Sequence, residues 1–385
     1  MKRFIRSFEE TLKRRLAEPD PLIQVLIGPR QIGKTTAVRA ILAEIGHYQT
    51  ADSPTPLPAA EIEIWWKEAQ QKKQILAIDE IQKIPGWSEV LKRLWDSKNE
   101  ARRIVVTGSA SLLVEKGLRE SLAGRYELIH ADHWNFREAA ECFSMSTSEF
   151  IEWGCYPGAQ RFASQRSRWS EYVRDSIVEP ALGRDLLQLY PIDHPSLLRQ
   201  IFGVAVSLPA QIISFQKLQG QLQDAGAIAT IQNYLSLLEK AFLVTGLQKW
   251  NPEPFQIRRS SPKLIVHDNA LIHAFERPLT ALSPARLGRY FENAVGARLI
   301  EAGWDVFYWK DRRDEVDFVV FGPEGERLAI EVKSSWIEND DELHGLRLFT
   351  RRFPQFTPCL VSRVGQEVPG IQSIPVEQAL SLCRR

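Results

Sequence analysis

Gly28-Pro29-Arg30-Gln31-Ile32-Gly33-Lys34-Thr35-Thr36 decides how the rest of the chain is read. The stretch fits a pattern of glycine, four residues, then glycine, lysine and a hydroxyl residue. It follows the apolar run Leu22-Ile23-Gln24-Val25-Leu26-Ile27 and opens onto helical spacing over 35–45. That is the strand, loop and helix context the pattern requires. Gly28 and Gly33 let the backbone bend so that N–H groups point inward at phosphate oxygens. Pro29, Arg30, Gln31 and Ile32 complete the loop between them. The helix that follows presents the positive end of its dipole. Lys34 supplies a point charge to the β- and γ-phosphates, Thr35 a hydroxyl for Mg²⁺, and Thr36 ends the nucleotide-binding set. ATP with Mg²⁺ is the expected cofactor.

Outward from this loop, Ile75-Leu76-Ala77-Ile78-Asp79-Glu80 is a second apolar strand ending in two acids. At the carboxyl end of a parallel strand both acids face the crevice where nucleotides bind. Asp79 is expected to hold Mg²⁺ through water. Glu80 is expected to polarise the attacking water, which hydrolysis needs beyond binding. A third strand ends Val105-Val106-Thr107-Gly108-Ser109, so Thr107 and Ser109 are candidates to orient that water or sense the γ-phosphate. Leu122-Ala123-Gly124-Arg125-Tyr126 offers Arg125, with Arg119 second, as an arginine reaching a neighbouring subunit's nucleotide. A surface or helix-capping role is the equally weighted alternative for each. Strand-like runs over 23–27, 74–78, 103–107 and 126–131 alternate with helical stretches such as 88–97. That alternation predicts an α/β architecture with a parallel sheet over residues 1–147.

The chain has 385 residues and a formal charge of +1. Polycationic binding is excluded, so nucleic-acid contacts must come from local patches. The four cysteines form no CxxC pair, which points to a reducing cytoplasm rather than a disulfide scaffold or zinc site. His130 and His133 fall on a strand-to-loop stretch and read as surface or capping histidines, with a metal role the far weaker alternative. No apolar run is long enough for a membrane span. The amino-terminal stretch is charged throughout and lacks a signal peptide's apolar core. Its Phe4, Ile5, Phe8, Leu12 and Leu16 read as the apolar face of a helix.

Residues 148–284 pattern as mostly helical. Three short helices are expected over 196–207, 214–222 and 229–238. Two apolar stretches follow, 241–250 and 262–267, separated by Asn251-Pro252-Glu253-Pro254. Three helices and a strand pair make the plan of a winged helix. Residues 285–385 open with a helix over 286–302 that carries Glu292. Asp314-Glu315-Val316-Asp317-Phe318 and Ala329-Ile330-Glu331-Val332-Lys333 follow as strands. Residues two apart on a strand share a face, so Glu331 and Lys333 project together. A hairpin through Gly322-Pro323-Glu324-Gly325 brings Asp317 beside Glu331. Two carboxylates beside a lysine predict a Mg²⁺ site that activates water and steadies a phosphate.

With these motifs in view, residues 1–147 resemble an AAA-type P-loop ATPase. The likeness is to the prokaryotic group whose loop reads GPRQxGKTT and whose later segment reads SLxGR, here residues 28–36 and 121–125. The remainder resembles the DUF4143-type region commonly paired with that ATPase, through Gly154-Cys155-Tyr156-Pro157-Gly158 and Lys263-Leu264-Ile265-Val266-His267-Asp268. The resemblance implies an AAA+ core, a helical and winged-helix middle domain over 148–284, and a mixed α/β PD-(D/E)XK nuclease-like domain over 285–385. In the order of its parts the tail is similar to archaeal Holliday-junction resolvases. By that likeness Asp317 and Glu331 ligate metal, Lys333 is the catalytic lysine, and Glu292 supports the metal. Val316 stands where the family's PD pair has proline.

The leading expectation is an ATP-driven, DNA-processing homo-oligomer, a ring or partial ring, acting on branched or duplex DNA, with cutting by the third region left open. A motor whose nuclease fold only grips DNA is the second version. A nucleotide-gated switch acting on a protein partner is the third, and a P-loop kinase the weakest. Arg258-Arg259, Arg312-Arg313 and Arg351-Arg352 are candidate phosphate contacts. Residues 285–385 carry a net −2, which weighs against tight duplex binding by the tail alone.

Overall fold

The apolar run before the loop forms β1 (Ile23–Ile27), every residue of which is buried. A strand buried on both faces reads as continuous hydrophobicity rather than alternation, as in a parallel sheet covered by helices. The structure is a computed structural model that describes residues 4–97, 103–108, 118, 121–190, 192–222, 227–253, 260–276, 282–363 and 365–384. The chain divides into two compact units, residues 1–132 and 133–385.

In the first unit α1 (Ser7–Leu16), β1, α2 (Lys34–Ile41), β2 (Gly46–Thr50), α3 (Ala60–Gln71), β3 (Ile75–Asp79), α4 (Trp87–Asp96), β4 (Ile104–Gly108) and β5 (Tyr126–His130) follow in order. The five strands make one parallel sheet, ordered β2-β3-β4-β1-β5. This is the α/β arrangement with a parallel sheet that the alternation of strands and helices predicts. Its functional consequence lies in the order. β4 separates β1 from β3, so the carboxyl ends of three strands lie side by side. Trp65 and Trp66 of α3 are both buried in the core. Ile5 precedes α1 and is 49% exposed, which corrects its assignment to the helix's apolar face. Phe8, Leu12 and Leu16 carry that face.

The second unit opens with α5 (Phe136–Phe143), α6 (Thr147–Trp153) and α7 (Arg166–Val173), then α8 (Leu186–Leu189). Next come α9 (Pro195–Ser207), β6 (Gln211–Ile212), α10 (Phe215–Gln221), α11 (Ile228–Lys240), β7 (Val244–Leu247) and β8 (Lys263–Val266). These strands form an antiparallel sheet ordered β6-β8-β7. After α12 (Asn269–His273), α13 (Pro284–Glu301) runs five turns across a second sheet. β9 (Asp305–Asp311), β10 (Asp314–Phe321) and β11 (Arg327–Lys333) form an antiparallel meander. Past α14 (His344–Arg352), β12 (Thr357–Ser362) and β13 (Gln372–Pro375) extend it in parallel, and α15 (Val376–Leu380) follows. The sheet is covered on both faces. Phe318 faces Gly296 of α13, while Val319 and Ala329 join Leu346 and Phe349 of α14 in one apolar cluster. Among the described residues no helix is long and apolar enough to cross a membrane.

Candidate functional site

The loop and both acids come together at the carboxyl edge of the first sheet. Gly33 adopts a φ of 102° and Gln31 a φ of 57°, left-handed conformations that turn successive N–H groups to one side. Lys34 is buried, and its ammonium donates to the carbonyls of Gly28 at 2.8 Å and Pro29 at 2.6 Å. Thr35 Oγ1 donates to Asp79 Oδ2 at 2.8 Å. Pro29 and Ile32 are buried, Arg30 is half-buried, and Thr36 is exposed. Asp79 is shared further: Tyr48 OH donates to Oδ2 at 2.8 Å, and Thr107 Oγ1 donates to Oδ1. Burial, reinforced by Asp79, holds the Tyr48 phenol well above its usual pKa. Glu80 takes a φ of 54°, and its carboxylate accepts from Gln82 Nε2 at 2.6 Å. Its N–H lies 3.4 Å from Thr107 Oγ1. Thr35 and Asp79 offer a hydroxyl and a carboxylate at hydrogen-bond separation, an oxygen donor set that fits Mg²⁺.

Two residues of this site were not anticipated. Arg6 is buried and clamps the loop, donating to the carbonyls of Ile32 and Asp132 at 2.9 Å each. Tyr48, on the edge strand β2, reaches across to Asp79. Neither carries a local pattern. Gly28 is required for a steric reason: a Cβ there would lie 2.0 Å from the Ala131 carbonyl oxygen. Gly28→Ala should therefore cost about 1–3 kcal/mol of stability and abolish nucleotide binding, read by thermal melting and by titration with a fluorescent ATP analogue. Unchanged melting would show that the loop and β5 yield at no cost. Arg125 makes a bidentate ion pair with Asp96, at 2.9 and 3.2 Å. Ser109, Arg119 and Arg258-Arg259 lie outside the described residues.

The carboxylates of the third region also converge, around a group that sequence reading missed. The turn at 322–325 is a hairpin closed by Gly322 N donating to Glu326 O at 2.8 Å. Phe318 pairs with Ile330, so Asp317 and Glu331 are at adjoining strand positions. Asp317 Oδ2 accepts from Val332 N at 2.9 Å, and Lys333 Nζ lies 3.0 Å from Glu331 Oε1. The focus of the cluster is held by Lys263 of β8. Its fully buried ammonium pairs with Glu292, lies 3.3 Å from Glu315 Oε1, and lies 3.4 Å from Asp317 Oδ1. Arg289 binds the other oxygen of Glu292 at 2.9 Å. Burial and then the Asp317 charge push Glu292 up to about 7, and the same causes push Glu331 up to about 8. These carboxylates already have a cation, so the donor set does not fit Mg²⁺ at the Glu292–Asp317 focus while Lys263 stays there. One signal was present in the sequence: a lone lysine in the apolar run Lys263-Leu264-Ile265-Val266 must find acids if the strand is buried.

His133 is 2% exposed, which corrects its reading as a surface or capping residue. It contacts Glu301 and Tyr156 inside the second unit.

Three family models match the chain in succession. Residues 20–140 match an AAA domain, 145–283 a domain of unknown function (DUF8612), and 287–382 another (DUF4143). An uncharacterized protein of Mycobacterium tuberculosis is 28% identical over 313 residues, which are 80% of this chain and 69% of that protein. An uncharacterized protein of Methanocaldococcus jannaschii is 24% identical over 278 residues, 66% of this chain and 60% of that protein. Among solved structures, the Thermotoga maritima RuvB Holliday junction branch migration motor aligns at 17% identity. It covers 70% of this chain and 95% of its own with a TM-score of 0.32, a likeness too slight to carry an argument.

Proposed function

For a chain that joins an AAA-type ATPase domain to a DUF4143 domain, we propose ATP hydrolysis coupled to work on branched or duplex DNA. The nuclease-like third region grips nucleic acid without cutting it. One observation supports the ATPase chemistry above all: Lys34, Thr35, Asp79, Glu80 and Thr107 meet at three adjacent strand ends. The loop's N–H groups receive the phosphates. Lys34 exchanges its two loop carbonyls for phosphate oxygens. Thr35 and Asp79 would hold Mg²⁺, which supplies charge neutralisation during phosphoryl transfer. Thr107 and Tyr48 fix the Asp79 carboxylate. Glu80 accepts the proton of the attacking water.

The succession α9, β6, α10, α11, β7, β8 with sheet order β6-β8-β7 supports reading residues 148–284 as ending in a winged helix. Residues 285–385, as the nuclease-like part, offer Arg312-Arg313 and Arg351-Arg352, all exposed. Arg352 is paired with Asp311 at 3.1 Å. Lys263 within the carboxylate cluster favours gripping over cutting. Within a homo-oligomer, Arg125 would have to exchange Asp96 for a neighbour's nucleotide to act in trans.

ATP turnover measured with and without duplex, single-stranded and four-way-junction DNA tests this reading, with Lys34→Ala as the blank. Turnover should rise with DNA, the rise should fade with added salt, and no strand should be cut in Mg²⁺ or Mn²⁺. Turnover indifferent to every DNA would replace the reading with a nucleotide-gated switch acting on a protein partner. Metal-dependent cutting lost in Asp317→Asn would restore an active nuclease.

A further inference from the structure

A second cluster of ionisable groups lies inside the second unit, away from the acids around Lys263. His133, His267 and Glu301 are all buried, and one ligand atom from each lies within 4.8 Å of the others. Both imidazoles turn Nδ1 toward Glu301 Oε1, His267 at 3.5 Å. The hydroxyl of Thr245 favours one tautomer of His267. Thr245 Oγ1 donates its one proton toward Glu239 Oε1 at 3.3 Å. It therefore accepts from His267 Nε2, at 2.9 Å, and that nitrogen carries the hydrogen. His267 Nδ1 is then a lone pair aimed at a carboxylate. It is buried and makes no hydrogen bond. Two acceptors facing each other inside a protein need a cation between them.

We infer that His133 Nδ1, His267 Nδ1 and Glu301 form a three-ligand site for a divalent transition metal, with Zn²⁺ the best match to two imidazoles and one carboxylate. Ligands at zinc bond lengths in a tetrahedron stand about 3.3 Å apart, close to the His267–Glu301 separation; His133 and Glu301, in direct hydrogen-bond contact, must part to that distance when the ion enters. The outer contacts of a metal site are in place. Tyr156 OH lies 2.9 Å from His133 Nε2, and Arg298 holds the other Glu301 oxygen at 3.0 Å. Such partners orient imidazole and carboxylate ligands. The ion displaces the proton that His133 shares with Glu301. A cavity of about 20 Å³ borders all three ligands and Asp268, room for the one water that completes four-coordination. Asp268 accepts N–H groups from Cys155 at 3.2 Å and Ala270 at 2.7 Å and places a carboxyl group beside the cavity. The site ties together residues 133, 267 and 301, which are distant in the chain, so its role is to staple the second unit.

The test uses the full chain stripped with a chelator, then titrated with Zn²⁺ or Co²⁺ alone. One equivalent should bind, Co²⁺ should show the visible bands of tetrahedral coordination, and Zn²⁺ should raise the melting temperature. Asp317→Asn and Asp79→Asn should keep all three responses, and His267→Gln should lose them. X-ray absorption of the Zn²⁺-loaded wild type should report two imidazoles, and this arm holds if His267→Gln does not fold. Absence of stoichiometric binding, a first shell without imidazole, or an NMR spectrum in which His267 simply carries protons on both nitrogens would overturn the site.

Discussion

Glu80→Gln is expected to lower ATP turnover by about 10²–10⁴-fold and to leave ATP bound. The amide keeps the size of the carboxylate and its contact with Gln82, but it cannot take a proton from water. The backbone is already held at a φ of 54° beside Thr107. Such a conformation persists only where its surroundings enforce it, and it is found mainly at functional sites. Lys34→Ala should act differently, because it would remove the charge proposed to meet the phosphates and so lower binding as well as turnover. Steady-state turnover and equilibrium ATP binding, measured on both variants, separate the two roles. Full turnover by Glu80→Gln would move the general base elsewhere.

Lys263→Met destabilises the second unit by about 3–5 kcal/mol, since it strands buried carboxylates without their ammonium. Adding Glu292→Gln to that variant should recover part of the loss, because one of the stranded charges goes with it. Mg²⁺ should raise the melting temperature of Lys263→Met and leave that of the wild type unchanged, the cation then replacing the missing one. A Lys263→Met protein that melts with the wild type would sink the argument that Lys263 neutralises the cluster. A pH series adds an independent readout. Folding raises Glu292 from 4.5 to about 7 and Glu331 from 4.5 to about 8. The folded state thus binds more protons than the unfolded state between those limits. Their contribution is full below about pH 4.5 and is lost as pH climbs to about 8. Glu331→Gln should flatten that decline.

The legible part of the phosphate site is the part made by neighbours in the chain. Residues 28–36 are a continuous loop whose backbone would do the binding, and Asp79-Glu80 is marked by its place at the end of an apolar strand. Thr107 was a candidate by the same logic. Its bond to Asp79 could not be read, since it depends on β4 lying beside β3. In the third region the hairpin at 322–325 and the pairing of Asp317 with Glu331 followed from strand alternation and turn residues. Lys263 did not, because β8 belongs to another sheet and no spacing rule links residue 263 to 317. His267 and Glu301 were equally hidden, and His133 was read as a surface or capping residue ahead of a metal ligand. Each looks ordinary in its own segment, and only burial makes an unpartnered imidazole costly.

By itself the amino-acid order determined the α/β class, the phosphate loop and the paired acids after β3. Strand burial, turn chemistry and loop geometry are local, and a few consecutive residues suffice to specify them. Tertiary structure alone decided what faces each charge: Arg6 on the loop, Tyr48 and Thr107 on Asp79, Lys263 among Glu292, Glu315 and Asp317. Electrostatic free energy depends on distance and desolvation in space, not on separation along the chain. The same carboxylates are a metal site or a neutralised core according to which distant lysine folds against them.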